Sequence, residues 1–541
     1  MRNAALPNRL PLRYKDTGIV VASEGGYICW LDLEHSFIEP HACAGTPQSR
    51  PARLVQGFNE PAQTSLLWGL LVVACSVASL FVRPLYHPRE AQDPPNVLND
   101  VARLNPTTIR EVIHPTSEDE IRSAVSRAVA NGVKVTIAGK RHSMGGQTLY
   151  PNATTLDMLR FNRILSLDET SNILTVQSGA TWSDIQRFLN PRGLAVLAMQ
   201  GPNVFTVGGS MSVNAHGWDM SHGPVASSVK WFRVLLADGS IQRCSREENA
   251  ELFHLVLGGY GLFGVILEAG LRVTDNSAYI ASVSELDFSQ LPAYFETQIR
   301  SSPEVELGEA DLSISPGSLL RDTVGITYRK EGGNTKRTDL LQDEQYTFRD
   351  KYFFDLSRQY DWGKRLRWSL QKRLEYPSTG SVRTRNNIFR SPIRRIQYYS
   401  PNDTDILQEY FVPPQHFASF VNGLRDIIEK RRVNLLDATV RYVESNDDAF
   451  LNYSSQQMLA VVLYINVKTS VKGLSDSSKM TREIIDLALG EEGTFYLPYV
   501  LDYDKSQLSR AYPMVGEFFA AKKKYDPSEV FSNKFYSRYS D

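Results

Sequence analysis

The sequence predicts an α+β fold of several domains that is preceded by a single membrane-spanning helix. A chain of 541 residues is long enough for two or more domains at roughly 100–200 residues each. Beyond about residue 104, strand-like runs are interleaved with helical runs, which is typical of α/β and α+β proteins. The third observation is an uncharged, apolar stretch over residues 61–82.

The composition argues against several kinds of partner and site. Lysine and arginine total 59 against 60 aspartates and glutamates, so no overall field attracts nucleic acid, and we expect no nucleic-acid partner. The four cysteines are too few and too scattered for a disulfide framework or a CxxC metal site, and we expect no metal. They are Cys29, Cys43, Cys75 and Cys244.

Residues 61–83 form the predicted transmembrane helix. About 18 apolar residues suffice to span a bilayer core, and the segment is most apolar over residues 66–74. A buried helix and a lipoprotein-like processing site at residues 72–75 are alternatives. A cleaved signal peptide is disfavoured because about sixty residues precede the segment. Lysine and arginine are balanced on its two sides, so the sequence predicts a single-pass protein without indicating the side of the folded part.

The segments on either side of this helix are predicted to be irregular. Residues 1–60 mix proline, glycine and charge without a sustained period, so we expect them to be poorly ordered. Residues 84–103 are rich in proline and charge and are typical of a linker.

The first helix of the folded part has a recognisable start and end. Ser117 is followed three residues later by Glu120, which is a helix-capping pattern. The helix should run to about Asn131, where a glycine follows. The strand predicted over residues 133–138 then leads into a glycine-rich loop, residues 139–146.

Three further stretches of small residues follow. A strand within residues 173–180 leads to a helix that opens at 181–184, and the stretches 201–210 and 258–264 come after it. Because glycine lacks Cβ, backbone N–H groups can approach a ligand, and several such loops suggest a dinucleotide. None fits the G-x-G-x-x-G fingerprint of a Rossmann NAD site. Tight turns in a packed sheet are the alternative for any single loop.

In their order, these loops resemble the FAD-binding domain of the vanillyl-alcohol oxidase type. Within that family the chain looks most like the sugar-oxidising branch, which contains aldonolactone oxidases such as D-arabinono-1,4-lactone oxidase, alditol oxidases and decaprenylphosphoryl-ribose oxidase. The matching stretches are residues 141–146, 177–182, 206–210, 214–217 and 258–266, with the tail 525–533.

The resemblance implies a domain organisation and a set of cofactor contacts. Residues 104–275 would form a PCMH-type FAD-binding domain of two subdomains, and residues 276–500 an α/β cap domain over the flavin ring. Residues 501–541 would return to the FAD-binding domain. The FAD contacts implied are Gly139, Lys140, Arg141, His142, Ser143, Met144, Gly145, Gly201, Pro202, Thr206, Val207, Gly208, Gly209, Ser212, His216, Gly261, Gly264 and Ile266.

The resemblance also implies how the flavin is held. In aldonolactone oxidases and cytokinin dehydrogenases, the histidine of a Gly-His-Ser loop carries the flavin on its C8 methyl group, and His142 is in register with it. A neutral imidazole is a competent nucleophile toward that methyl, so we expect FAD to be covalently bound through His142. Arg141 departs from the glycine of the covalent members, and non-covalent binding stays open. His216 is expected near the flavin ring or ribityl chain, with a structural histidine as the alternative.

Three residues are candidates for the catalytic chemistry. Glu409 lies in residues 408–413, which look like a Glu-Tyr-Phe-Val-Pro strand whose glutamate faces the substrate in sugar oxidases. Arg441 stands where decaprenylphosphoryl-ribose oxidase has a lysine; a guanidinium can donate to a substrate oxygen but cannot act as a base. A surface ion pair is the alternative for these two residues. Lys534 is expected to reach the N1–C2=O edge of the flavin.

The resemblance finally implies an activity. The chain would be a FAD-dependent oxidoreductase that takes hydride from a CH–OH group of a sugar, polyol, lactone or lipid-linked sugar, with dioxygen or another acceptor. Amine oxidation of the cytokinin dehydrogenase type and a membrane-anchored flavin fold without turnover are the alternatives. A basic stretch in the cap either receives a phosphorylated or polyprenyl-phosphate sugar or is a solvated face. It comprises Arg385, Arg390, Arg394 and Arg395, near Tyr398 and Tyr399.

Overall fold

The computed structural model describes residues 19–22, 28–31, 61–82, 93–333, 336–345 and 347–540. The chain divides into two compact units, residues 1–70 and 71–541. Most of residues 1–60, predicted to be poorly ordered, lies outside the described residues. The part described there is an antiparallel pair of strands, β1 (Ile19–Ala22) and β2 (Ile28–Leu31).

Helix α1 covers Pro61–Val82, where the sequence predicts a membrane-spanning helix over residues 61–83. Its described side chains, residues 69–79, are exposed or partly exposed, which contradicts the alternative of a buried helix. No helix is both long and apolar enough to cross a membrane within the part of the chain that the structure describes. The helix itself is confirmed, and its predicted passage through a membrane is not supported.

The linker predicted over residues 84–103 lies outside the described residues as far as residue 92. From residue 93 onward the chain is described, and β3 (Val97–Leu98) pairs with β4 (Thr107–Thr108). Hydrogen bonds from polar side chains stabilise this segment; for example, Asn99 Oδ1 accepts a bond from the Asn105 backbone N–H at 3.0 Å.

A small parallel sheet follows, in which β7 lies between β5 and β6. Helix α2 (Glu118–Ala130) begins where Ser117 Oγ accepts a bond from the Glu120 N–H, so the predicted helix and its cap are confirmed. Its apolar face packs on this sheet together with Phe531 from the end of the chain. The three strands are β5 (Glu111–Ile113), β6 (Val135–Ala138) and β7 (Thr154–Asp157).

The next sheet is antiparallel and six-stranded, in the order β12-β11-β13-β9-β8, with β10 paired to β13. Its strands are β8 (Ile164–Asp168), β9 (Ile173–Gln177), β10 (Leu194–Val196), β11 (Val229–Leu235), β12 (Ile241–Ser245) and β13 (Val265–Asp275). Three helices interrupt them: α3 (Trp182–Leu189), α4 (Val207–Ser212) and α5 (Ala250–Val256). The predicted helix after residue 180 is α3, and a capping box between Thr181 and Asp184 stabilises its N-terminus.

An eight-stranded antiparallel sheet occupies the region predicted as the cap, in the order β17-β14-β16-β15-β19-β20-β18-β21. Its strands are β14 (Ala278–Asp287), β15 (Val305–Leu312), β16 (Asp322–Lys330), β17 (Val382–Thr384), β18 (Asp403–Val412), β19 (Asn434–Val443), β20 (Met458–Lys468) and β21 (Thr494–Phe495). Its helices are α6 (Leu291–Ser301), α7 (Thr347–Gln359), α8 (Asp361–Leu374), α9 (Arg385–Ile388), α10 (Phe417–Arg431) and α11 (Val471–Gly490).

The C-terminal segment packs back against the parallel sheet. The Val135 N–H of β6 donates to the Val530 carbonyl at 2.7 Å, and Val135 forms a parallel bridge with Phe531. The chain therefore first forms the eight-stranded sheet, and its C-terminal end then returns to β6, the strand that precedes the loop 139–146. The last helices are α12 (Lys505–Ala511), α13 (Val515–Tyr525) and α14 (Lys534–Tyr539).

Candidate functional site

Two adjoining cavities lie beside the loops that follow β6 and β10, and the larger of them is also lined by the eight-stranded sheet. The first, here called the glycine-lined cavity, has a volume of about 70 Å³, and the second, here called the large cavity, about 300 Å³. Several residues line both of them, so the two are neighbours, and together they are called the channel here. The shared residues are Gly139, Ser143, Thr148, Thr206, Gly209 and Val213.

The glycine-lined cavity owes its shape to positions where a side chain has no room. A Cβ on Gly139 would collide with Thr206 Oγ1, and one on Gly208 would lie 2.8 Å from the Ser178 Cβ. Gly261 has a φ of +71°, which side-chain-bearing residues rarely adopt. The backbone is therefore bare where an elongated ligand would pass.

The large cavity is formed by the loop after β6 on one side and by three neighbouring strands of the cap sheet on the other. In those strands Glu409 pairs with Val462, which pairs with Thr439. Its cap-side lining comprises Pro392, Arg395, Ile396, Leu407, Glu409, Asp437, Thr439, Arg441, Val462, Tyr464, Tyr496, Pro498 and Tyr499. The opposite lining includes Lys140, Arg141, His142, Gln200, Pro202, Phe205 and His216.

His142 is presented to the large cavity by a strained loop. The preceding residue, Arg141, has a φ of +54°, the left-handed conformation that favours glycine, which is the residue that covalent relatives have there. The rings of His142 and Phe205 are nearly perpendicular, with their centroids 4.7 Å apart. Burial, reinforced by the nearby charge of Lys140, lowers the pKa of His142 to about 4, so its imidazole is neutral at neutral pH. Its buried Nδ1 has no hydrogen-bond partner among the described residues.

Glu409 and His216 form a buried pair in the large cavity. His216 Nε2 lies 2.6 Å from Glu409 Oε1, so the imidazole N–H can donate to the carboxylate. Their side chains are only 3% and 2% exposed, which places this polar pair out of bulk water. The Tyr499 hydroxyl donates to Glu409 Oε2 at 3.4 Å. Phe411 packs its ring on His216 at 5.4 Å and limits where the imidazole can move.

Arg441 is the cationic side chain that β19 contributes to the large cavity. It lines the large cavity, and its buried Nε has no partner within the described part of the chain. By strand alternation it shares a face with Asp437 and Thr439, which also line the cavity. Beside it, burial raises the pKa of Glu309 to about 7, an effect that the charge of Arg441 opposes. The ion-pair alternative for Glu409 and Arg441 is not what the structure shows, since Glu409 is bonded to His216 and Tyr499.

Lys534 lies elsewhere. It lines a separate cavity of about 330 Å³, and its Nζ donates to the Asn105 carbonyl at 3.3 Å. Its side chain fills the space beside Gly146, where a Cβ would lie 2.6 Å from Lys534 Cδ. The structure therefore does not bring Lys534 together with Glu409 and Arg441.

Most residues expected to contact FAD line the channel, and four do not. Met144 and Gly145 face the separate cavity beside Lys534. Gly201 packs against Trp218 and Ser391, and Val207 lies in the core. Those that line the channel are Gly139, Lys140, Arg141, His142, Ser143, Pro202, Thr206, Gly208, Gly209, Ser212, His216, Gly261, Gly264 and Ile266.

Several polar residues of the cavity wall were not predicted from the sequence. Asp437 and Thr439 could have been found, because they lie four and two positions, respectively, before Arg441 on the same strand and so share its face. Tyr464, Tyr496 and Tyr499 carry no local signal that separates them from core tyrosines. Their place follows from the packing of distant segments.

The basic stretch of the cap is paired internally. Arg385 is bonded to Asp219, Arg390 to Asp343 and Arg395 to Glu375, and Arg394 Nε lies 3.9 Å from Glu344. Only Arg395 of these four lines the large cavity. The stretch is therefore neither a solvated face nor a ready set of unpaired cations for a phosphate.

The channel fits an elongated, polar cofactor. Buried polar atoms of its lining lack partners among the residues described: His142 Nδ1, Thr148 Oγ1, Ser178 Oγ and Arg441 Nε. Buried polar groups are normally hydrogen-bonded, so such atoms indicate a missing polar ligand. Bare backbone at the narrow end suits a diphosphate, and the wider end has room for a ring system beside His142.

Comparison with known proteins agrees with this reading of the channel. L-gulonolactone oxidase of Mus musculus is 30% identical over 158 residues, 29% of this chain and 36% of the relative. Decaprenylphosphoryl-beta-D-ribose oxidase of Mycolicibacterium smegmatis is 28% identical over 235 residues, 40% of this chain and 50% of the relative. Cytokinin dehydrogenase 2 of Arabidopsis thaliana is 28% identical over 272 residues, 49% and 52% respectively.

The chain spans about half or less of the length of these relatives. The FAD binding domain family matches residues 109–245, which contain β6, the loop with His142 and α4. Residues 109–245 are therefore a FAD-binding domain of the PCMH type, which this chain shares with the flavin-dependent oxidoreductase family.

Proposed function

We propose that the chain is a FAD-dependent oxidoreductase that removes hydride from a CH–OH carbon of a sugar, polyol or sugar lactone. The observation that carries the proposal is the buried pair of Glu409 and His216 in the same cavity as His142. Such an oxidation needs an acceptor for the hydroxyl proton and a donor to the developing alkoxide. Bound FAD supplies the hydride acceptor.

Glu409 is the proposed proton acceptor. Its carboxylate lies out of water and already accepts from His216 and Tyr499, which orient it toward the cavity. His216 Nε2, 2.6 Å from Glu409 Oε1, fixes the position of the carboxylate. Arg441 is the proposed donor to the substrate oxygen, because a guanidinium stays charged and its Nε is unpaired within the described residues.

His142 is the proposed attachment point of the flavin. What supports this is a neutral imidazole whose Nδ1 is buried beside the cavity without a described partner. A bond from that nitrogen to the C8 methyl carbon of a bound flavin would replace one C–H bond and one N–H bond of the imidazole, so two protons and two electrons would have to leave. Dioxygen or another terminal acceptor would take the electrons.

Amine oxidation is the second candidate function. It is favoured by the similarity to cytokinin dehydrogenase 2, which extends over 49% of this chain. The acidic wall contributed by Glu409 and Asp437 would also suit a cationic amine. A substrate panel that includes both polyols and amines separates the two functions.

Membrane attachment through residues 61–83 and a lipid-linked sugar substrate remain parts of the proposal. What supports attachment is the exposed apolar surface of α1, where Leu70 and Val72 are 59% and 61% exposed. The similarity to decaprenylphosphoryl-beta-D-ribose oxidase supports a lipid-linked sugar.

The test begins with the purified full chain. We expect a flavin absorption spectrum that sugars, polyols or lactones bleach under anaerobic conditions, and we expect Glu409→Gln to slow this bleaching strongly while the flavin stays bound. Bleaching by amines alone would replace the first function with the second. A chain that holds no flavin would refute the proposal.

A further inference from the structure

The loop that carries His142 is tied to a neighbouring segment, residues 99–105, which we call the strap. The strap runs beside the loop residues 140–146, and none of its residues lines the large cavity. Three hydrogen bonds join them: Val101 N–H to the Arg141 carbonyl (3.0 Å), Asn105 Nδ2 to the Met144 carbonyl (3.0 Å) and Gly146 N–H to Asp100 Oδ2 (3.2 Å). The strap therefore contacts the loop on both sides of His142.

Asp100 is the centre of this arrangement. Its Oδ2 accepts from the Gly146 N–H and also from Asn105 Nδ2, at 2.8 Å. The residue is only 4% exposed, and its Oδ1 has no partner among the residues described. Burying a carboxylate with incomplete hydrogen bonding is unfavourable, so it needs a reason beyond chain folding.

The strap is also joined to the cap sheet. Thr404 Oγ1 of β18 donates to the Ala102 carbonyl at 2.7 Å, and the Arg103 guanidinium lies 5.4 Å from the centre of the Tyr399 ring. Glu409 stands on the same strand as Thr404. The strap is thus hydrogen-bonded both to the loop that carries His142 and to β18, the strand that carries the proposed base Glu409.

We infer that Asp100 is a positioning residue for the flavin: its carboxylate holds the loop 140–146 in the conformation that presents His142 to the large cavity. This inference rests on the proposed role of the loop in holding FAD. Without Asp100 the strained backbone at Arg141, with a φ of +54°, would relax toward commoner conformations and His142 would turn away.

The carboxylate gives the arrangement a pH dependence. Burial raises the pKa of Asp100 to about 6, while its bonds to Asn105 and Gly146 and the charge of Lys534 act in the opposite direction. Lys534 is the charged side chain that acts on Asp100 among the described residues. Because the buried arrangement binds this proton more tightly than an opened loop would, the arrangement is more stable at pH 5.5 than at pH 7.5.

The test uses the full chain with Asp100→Ala, Asp100→Asn and Asn105→Ala. The flavin-to-protein ratio is measured after incubation with FAD at pH 5.5 and pH 7.5, and hydrogen exchange of the Gly146 amide is followed by mass spectrometry. We expect Asp100→Ala to lower flavin retention about tenfold and to speed this exchange. Asp100→Asn keeps an acceptor oxygen, so it should retain flavin at pH 7.5 and lose the difference between the two pH values.

One variant at Asn105 and one control variant complete the test. Asn105→Ala leaves Asp100 bonded to Gly146 and should reduce retention less than Asp100→Ala. If Asp100→Ala does not fold, the comparison of Asp100→Asn with the wild type at the two pH values decides the matter. Gln507→Ala is the matched control, since this buried side chain donates to the Arg482 carbonyl and lines neither channel cavity. It should leave retention unchanged.

Wild-type retention and exchange in Asp100→Ala would overturn the role of Asp100. Flavin that leaves the wild-type chain on acid precipitation would refute only the covalent bond to His142, because retention under native conditions and exchange at Gly146 still report on the strap. A wild-type chain without any flavin affinity would refute the proposed function, and exchange at Gly146 alone would then decide whether Asp100 holds the loop.

Discussion

His216 Nε2 and Glu409 Oε1 lie 2.6 Å apart although 193 positions separate the two residues in the chain. The histidine comes from a loop of the FAD-binding domain, and the glutamate comes from β18 of the eight-stranded sheet. Each residue therefore lines the large cavity, His216 from the FAD-binding domain and Glu409 from the eight-stranded sheet. A base assembled in this way is only in place when the two parts of the chain are packed together.

Replacing Glu409 with glutamine should remove the proton acceptor while preserving shape and the contacts to His216. We expect kcat to fall about 10²–10⁴-fold, the usual contribution of a general base, with an unchanged flavin content. Stopped-flow measurement of flavin bleaching checks this. Glu444→Gln, which changes a glutamate that lines neither channel cavity, is the control. Unchanged bleaching in Glu409→Gln would remove Glu409 from the mechanism.

Arg441→Met should weaken the stabilisation of the substrate oxygen. Methionine fills a similar volume without charge, so we expect kcat/KM to fall about 10–100-fold, which corresponds to a lost charged hydrogen bond of about 1.5–3 kcal/mol. Arg441→Lys should restore part of the activity, because a lysine keeps the charge but not the fork geometry. Equal activities in the methionine and lysine variants would contradict this role.

His142→Ala should abolish flavin fluorescence on a denaturing gel and leave some flavin bound under native conditions. The reason is that alanine removes the only proposed nucleophile while the glycine-lined cavity is untouched. His222→Ala is a suitable control, because His222 is bonded to Asp219 and does not line the channel. Fluorescence that persists in His142→Ala would place the attachment at another residue.

Gly139→Ala should weaken FAD binding, since the new Cβ would collide with Thr206 Oγ1 and displace a cavity wall. We expect a loss of about 1–3 kcal/mol in the free energy of unfolding, as is usual for overpacking, together with a lower flavin-to-protein ratio. Gly516→Ala is the matched control because nothing lies within 4 Å of its position in α13. That control should be neutral or stabilising by up to about 1 kcal/mol.

Asp100 and His142 should make opposite contributions to stability as pH falls. The pKa of Asp100 is raised to about 6, so the folded chain binds this proton more tightly and gains stability from the group as pH drops from about 6 toward 3.8. The pKa of His142 is lowered to about 4, so stability from that group is lost between pH 6.5 and 4.

Unfolding of the flavin-free chain in denaturant between pH 4.5 and 7.5 measures both contributions. Asp100→Asn should lose more stability on acidification than the wild type, and His142→Gln should lose less, each by on the order of 2 kcal/mol. Parallel pH profiles for all three proteins would show that neither group is perturbed.

The elements of the FAD-binding domain are set by local chemistry, and the sequence alone determined them. Ser117 and Glu120 start α2, and the run 133–138 contains β6. Two local rules act here. A side chain has no room at Gly139. The alternation of side chains along a strand assigns Glu409 and Arg441 to one face of their strands.

Only the tertiary structure decided which of these residues meet. It paired Glu409 with His216, moved Lys534 into a separate cavity, and buried Asp100, in a segment whose composition predicts a linker, beneath the His142 loop. Contacts between residues hundreds of positions apart depend on how two sheets and the returning C-terminal segment pack, and side-chain period and local propensity contain no information about that packing.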